Sequence, residues 1–372
     1  MAVVDFVKSP LVEIVMDNGL SYDVDVELDE RPEAVTLKRF ASSLETLEIG
    51  HPFFNNNNDN DNNAFVQCPK LKTLNIHCIS ELDDLDTNLL VRMFPNLVNL
   101  SLGCLPLGEH AYIRREVVEG KEVDLSIARQ RNRDARGGNH WKFLDVLSGE
   151  LYLLHAPAIM CPVRHVRLKG LLEEDEDHLE MWATLLHDSG ASAATVAINA
   201  LTFWRSGAAF LVPLEHPLTH LDVTVHFECP MYKQDKDDMI LNIVRLIHSA
   251  PLVFLNLHLR WRVSFSDDEL DWVHHDYRNI GDYLTSLPPI AVARTLAESI
   301  PTLRYIRLTK ELSFRKKDLP KKSTTFWRRD SGSTLQDGKV PFTLDEVPKH
   351  LQQTILLDER MLNLITTASS AA

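Results

Sequence analysis

Glycine is scarce in this sequence, at 14 of 372 residues, and no Gly-x-Gly-x-x-Gly, P-loop, Gly-x-Ser-x-Gly or His-Glu-x-x-His motif occurs. The chain therefore offers no glycine-rich phosphate cradle, no nucleophile elbow and no zinc-binding helix of the recognised kinds. His274 and His275 adjoin each other, but no cysteine or third histidine stands nearby at ligand spacing. They read as a solvated pair. The expectation is a protein that is not an enzyme, holds no metal and needs no cofactor.

Cysteine is equally thin. Cys68, Cys78, Cys104, Cys161 and Cys229 are odd in number and form no CxxC pair, which fits reduced thiols in the cytoplasm or nucleus better than a disulfide framework. Cys78 and Cys104 each follow an apolar alternation and read as small buried thiols. Long apolar runs are missing too. Nothing approaches the roughly 20 residues of a membrane helix, and Met1 to Lys8 lacks the basic start and apolar stretch of a signal peptide. The triplet Asn99-Leu100-Ser101 then reads as a chance match to a glycosylation site. Positive charge is in deficit, with 39 Lys and Arg against 53 Asp and Glu, a formal charge of -14. A surface of that sign repels nucleic acid and anionic membranes, so neither is an expected partner. One segment runs the other way. Residues 303–329 carry Arg304, Arg307, Lys310, Arg315, Lys316, Lys317, Lys321, Lys322, Arg328 and Arg329 against only Glu311 and Asp318. Such a run reads as a solvated loop, or else as a docking patch for an acidic partner.

What is present is a repeat. A proline is followed within two positions by an aliphatic residue, with two more aliphatics three and five positions after that. The copies are Pro69 with Leu71, Leu74, Ile76; Pro95 with Leu97, Leu100, Leu102; and Pro162 with Val163, Val166, Leu168. Three more are Pro217 with Leu218, Leu221, Val223; Pro251 with Leu252, Leu255, Leu257; and Pro301 with Leu303, Ile306, Leu308. Leu44, Leu47, Ile49 and Ala193, Val196, Ile198 are looser copies without the proline, and Pro10 with Leu11, Ile14, Met16 is a degenerate first one. The step from Pro69 to Pro95 is 26 residues, inside the roughly 20–29 of leucine-rich repeats. Others are longer, such as 34 from Pro217 to Pro251.

The last two aliphatics alternate with polar residues, the period-2 mark of a strand buried on one face. The proline ends a preceding helix and biases the residue before it toward extended geometry. Those preceding segments carry apolar stripes: Leu85, Leu89, Leu90, Met93, Phe94; Met239, Ile243, Val244, Leu246, Ile247; and Val292, Leu296, Ile300. Strand, loop, helix, proline, strand is one turn of an irregular leucine-rich-repeat α/β solenoid, a curved parallel sheet with helices on its convex side. Strands are expected at 45–49, 72–76, 98–102, 164–168, 194–198, 219–223, 253–257 and 304–308.

The solenoid should span 1–309, with loop insertions at 55–63, 105–140 and 258–300. The first is the Asn-rich run 55–63. In the second, Arg129 to Asn139 reads as a polar loop, followed by an apolar helix through Trp141, Leu144 and Leu147. The acidic run Glu173 to Asp177 falls where a helix N-terminus favours carboxylates. Residues 310–372 read as a basic loop and a capping helix, the helix over Leu351 to Ile365.

The segment Cys68-Pro69-Lys70-Leu71-Lys72-Thr73-Leu74-Asn75-Ile76 resembles the Cys-Pro-x-Leu-x-x-Leu-x-Leu unit of F-box-type leucine-rich-repeat proteins, and Phe94 to Leu100 and Cys161 to Val166 look like further copies. The irregular spacing and the late Phe326-Trp327-Arg328-Arg329 resemble the F-box/leucine-rich-repeat-like families of mushroom-forming fungi. The resemblance covers roughly 40–365 and implies a substrate receptor of a ubiquitin ligase, with a ligase adaptor subunit as a partner. Residues 1–40 carry no F-box pattern. Two expectations therefore stand: a protein-protein interaction module for substrate recognition, or a repeat scaffold with no ligase role.

The residues between the aliphatics should line the concave face. They are Thr73, Asn75, His77, Asn99 and Ser101, then His165, Arg167, His220, Asp222, Phe254, Asn256, His258, Tyr305 and Arg307. The last nine are the expected partner-binding residues, because exposed aromatics beside arginines have the composition of an interface hot spot. The bland alternative at each position is a merely solvated side chain.

Overall fold

The computed structural model describes residues 12–16, 37–50, 66–77, 79, 85–103, 122–135, 140–172, 176–200, 218–227, 239–262, 280–313, 320–331 and 342–356. The chain forms two compact units, Met1–Lys169 and Gly170–Ala372. Both are mixed α/β with strands in chain order.

The first unit stacks β1 (Glu13–Met16), β2 (Thr46–Ile49), β3 (Thr73–Ile76), β4 (Asn99–Leu102), β5 (Leu144–Gly149) and β6 (Val163–Leu172), each parallel to the next. The repeat accounts for the stack. Leu47, Leu74, Leu100, Leu147 and Val166 lie side by side in register. All five are at most 1% exposed, and burying each such side chain stabilises by about 1.5–3 kcal/mol. The first aliphatic of each copy, Leu44, Leu71 or Leu97, is buried as well. Helix α1 (Thr87–Met93) starts on Asp86, whose carboxylate accepts the Leu89 N–H at 3.1 Å. It ends at Phe94, where φ is -127° and Pro95 follows. That is the stop the proline imposes on its neighbour.

Two readings fail in this unit. Trp141, Leu144 and Leu147 do not lie on a helix; residues 144–149 are β5. The spacing of three that suggested a helical stripe is the spacing of the repeat itself, as in Leu71 and Leu74. Leu144 and Leu147 form a copy without the proline, ending on Gly149 in place of the last aliphatic. A Cβ on Gly149 would strike the Leu102 carbonyl and the Leu154 side chain. The loop expected at Arg129 to Asn139 is helical as far as Asp134, in α2 (Glu122–Asp134); 136–139 lie outside the described residues. Polarity misled here because Asn132, 1% exposed, is buried with its amide fully used. It accepts from the Thr87 N–H at 3.0 Å and donates to the carbonyls of Leu85 at 3.0 Å and Ala156 at 3.1 Å. Arg129 likewise donates to the carbonyl of His155, the last residue of the short helix α3 (Leu151–His155).

The second unit holds β7 (Ala193–Asn199), β8 (His220–Phe227), β9 (Phe254–Arg262) and β10 (Tyr305–Ser313), all parallel. Helices α4 (Glu176–Ser189), α5 (Met239–Ile247), α6 (280–286) and α7 (Pro289–Ser299) intervene in sequence. Helix α4 starts inside the acidic run, as expected. In α7, Ile300 adopts φ -122° ahead of Pro301 and repeats the proline stop. Each of the eight expected strand positions is occupied by a strand, and those neighbouring within a unit pair in parallel.

The pattern does not stop at Thr309. β10 runs on to Ser313, β11 (Lys321–Ser331) returns antiparallel to it, and β12 (Phe342–Glu346) is antiparallel to β11. The basic run is therefore largely sheet, not a solvated loop. Lys310 is 9% exposed, and its Nζ donates to the carbonyls of Leu284 at 3.0 Å and Leu287 at 3.1 Å, at the end of α6. Arg329 does the same for α7, donating to Ala297 and Pro301 at 2.9 Å each. Its guanidinium centre also lies 4.3 Å from the Phe342 ring centroid. Cations suit helix C-termini, where unpaired carbonyls gather. Burial lowers the pKa of both side chains.

The described residues of the insertion expected over 258–300 are mostly regular structure, the end of β9, then α6 and α7, while 263–279 lie outside the described residues. Trp261, 1% exposed, packs on Gly281, where a Cβ would strike the indole. The closing helix, α8, covers 349–356. The Asn-rich run 55–63, His274 and His275, Cys78, Cys104 and Cys229, and the rest of the expected capping helix lie outside the described residues. Among the described residues no helix is long and apolar enough to cross a membrane.

Candidate protein-binding face

In a strand, alternate side chains leave opposite faces, and a parallel register stacks equivalent positions into rows. In the second unit the aliphatic positions take one face and pack beneath the helices, as Leu255, Leu257, Ile306 and Leu308 do. The other face carries four rows. The first runs His220, Phe254, Tyr305, Arg328; the second Asp222, Asn256, Arg307, Phe326. The third runs Thr224, His258, Thr309, Thr324, and the fourth His226, Arg260, Glu311, Lys322. The register thus brings together seven of the nine expected residues. His165 and Arg167 belong to β6 of the first unit, where the Arg167 Nε lies 3.3 Å from His165 Nδ1.

Phe254 and Tyr305 are half-buried, not freely exposed. The reason is Phe326, which the strand expectations missed because they ended at 308. It is wholly buried, with its ring 6.2 Å from Phe254 in an edge contact and 6.0 Å from Tyr305. His220 stacks on Phe254 at 5.8 Å with the planes 16° apart. Four rings form one cluster on the open face, in the edge and stacked arrangements their quadrupoles favour. Arg307 stands beside it in the second row, and Arg328 extends the first row, its Nη2 donating to Asp330 at 3.0 Å.

Toward the strand ends the face becomes ionic. The Glu311 carboxylate, whose side chain is 10% exposed, lies 3.3 Å from Arg260 Nε and 3.4 Å from His258 Nε2. Neither nitrogen makes a hydrogen bond of good geometry; Glu311 and the Arg260 guanidinium attract as close opposite charges, with the His258 ring beside them. Burial lowers the pKa of His258; Glu311 opposes that shift, and Lys322, Arg260 and His226 reinforce it. Thr309 and Thr324 face each other with 3.2 Å between hydroxyl oxygens. His226, Arg260 and Glu311 were missed although the signal was available, since apolar and polar residues go on alternating through Leu257-His258-Leu259-Arg260-Trp261.

The first unit's open face carries hydroxyl and amide side chains in its middle strands and charged or imidazole groups, Glu48, His165 and Arg167, toward its edges. Its rows are Thr46, Thr73, Asn99, Val146, His165 and Glu48, Asn75, Ser101, Ser148, Arg167. Several contact one another: Asn99 Nδ2 donates to Thr73 Oγ1 at 3.2 Å and Lys169 Nζ to Ser101 Oγ at 2.8 Å, and His77 Nε2 lies 2.9 Å from the Glu48 carboxylate. Among the described residues, no group of three or more His, Cys, Asp or Glu is arranged to hold a metal ion. No protein-family model, curated protein or solved structure matches the chain.

Proposed function

We propose that the chain is a protein-protein interaction module that grips a protein partner with the open face of the second unit. The observation that carries this reading is the row His220, Phe254, Tyr305 with Arg307 beside it. Aromatic and arginine side chains are the residues whose truncation most often costs about 2 kcal/mol or more at an interface. Helices of the second unit pack against the opposite face, and His220, Phe254, Tyr305 and Arg307 each keep part of their surface in solvent for a partner to meet. On the resemblance to F-box-type leucine-rich-repeat proteins, the partner is a substrate held for ubiquitination. A repeat scaffold without ligase function would use the same face.

Affinity capture with the full chain tests both halves. A partner retained by the wild type and lost by Tyr305→Ala/Arg307→Ala supports the face. Co-capture of adaptor and cullin subunits favours the ligase reading. Their absence from an otherwise specific complex favours the scaffold.

A further inference from the structure

Two side chains in the middle of the face hold unused hydrogen-bonding atoms. Asn256 Oδ1 and Arg307 Nε are shielded from solvent, and neither hydrogen-bonds any protein atom among the described residues. They are direct neighbours in register on β9 and β10. One is an acceptor and the other a donor. Buried polar groups are normally paired, so an open acceptor beside an open donor calls for a ligand that offers the reverse.

The neighbours narrow the chemistry. Asp222 stands next to Asn256 in the same row, so a carboxylate or phosphate on this row meets a like charge. A cation meets Arg307. An uncharged amide meets neither difficulty: its N–H donates to Asn256 Oδ1 and its carbonyl accepts from Arg307 Nε. One position back along the same face, Phe254 and Tyr305 offer ring surface to the group that follows.

The dimensions fit a main chain. Strands lie about 4.8 Å apart, so β8 to β10 span about 9.6 Å, which an extended segment rising about 3.3 Å per residue covers with three residues. Resting on the reading that this face binds a protein, we infer that it holds an extended peptide segment of the partner, laid across β8, β9 and β10, with a backbone amide bridging Asn256 and Arg307. Both side chains turn outward to meet it, and no hydrogen bond at Oδ1 or Nε is broken in doing so.

The test uses the full chain and a phage-displayed library of linear twelve-residue peptides. The tightest binder is resynthesised with each amide in turn replaced by an ester, which removes one N–H. Affinities are measured for the wild type, Asn256→Leu, Asn256→Ala, Tyr305→Ala and Arg307→Ala, each first checked for an unchanged melting transition. The inference predicts one ester position that weakens binding at least tenfold to the wild type and less than twofold to the Asn256 variants that remain folded. If Tyr305→Ala and Arg307→Ala weaken binding but no ester does so selectively, the backbone-reading inference is overturned while the face survives. If no peptide binds, the extended-peptide inference is overturned while the face still stands on partner capture; if the binders ignore Tyr305→Ala and Arg307→Ala, the face itself is the wrong assignment.

Discussion

Burial pushes the Cys68 thiol up to about 11, which leaves about a thousandth of it as thiolate at pH 8. In a variant keeping only this cysteine, a disulfide reagent at pH 8 should react orders of magnitude more slowly with folded protein than in guanidinium. Equal rates would mean that Cys68 is not in the core. His258 gives the pH counterpart. Its folded pKa lies below the ordinary 6.5, so the unfolded chain takes up its proton first as pH falls. The stability from neutral His258 is complete above about pH 6.5 and is lost as pH drops through the folded value. Melting temperatures measured from pH 7.5 to 5 should fall less steeply for His258→Gln than for the wild type; parallel curves would remove this role. At this scale the sequence was most legible where a side chain's direction follows from alternation, as for Phe254, Asn256, Tyr305 and Arg307. It was least legible where a polar side chain is buried by satisfying distant backbone. Asn132, Lys310 and Arg329 bond carbonyls 23 to 47 residues away, and no local pattern announces such partners.

At the scale of elements, the repeat predicted strands well because its aliphatics bury in one column. Leu74→Ala and Leu100→Ala should each cost about 2–5 kcal/mol in denaturant unfolding, and the same cost should attend Leu147→Ala if residues 144–149 are the repeat copy described. A loss below about 1 kcal/mol at Leu147 would return that segment to a surface role. Asn132→Ala strands one N–H and two carbonyls between α2, α1 and α3. It should cost about 2–4 kcal/mol, while the exposed Gln130→Ala should cost almost nothing. β11 and β12 escaped the sequence reading for a different reason. They pair antiparallel, carry no proline signal, and show only Phe326 and Trp327 as buried apolar residues. A stretch rich in Lys, Ser, Thr and Arg then looks like loop, although its threonines and aromatics suit a strand.

Across the whole molecule, two units are each built on parallel strands following one another in chain order, the second extended by the antiparallel β11 and β12, and they differ in what their open faces carry. The first presents mainly hydroxyl and amide side chains, with Glu48, His165, Arg167 and Lys169 among them and no aromatic ring cluster among the described residues. The second presents a cluster of four rings, two arginines in the adjoining positions and an ionic group around Glu311. The proposed division of labour makes the second face the one that grips and the first a stack of repeats. Titration of a single captured partner against full-length wild type, Tyr305→Ala, Arg307→Ala and Thr46→Ala, each confirmed folded by thermal melt, tests that claim most directly. The account predicts at least a tenfold loss of affinity, about 1.4 kcal/mol, for Tyr305→Ala and for Arg307→Ala, with Thr46→Ala unchanged. Undiminished binding by both second-unit variants, or a loss confined to Thr46→Ala, would contradict it.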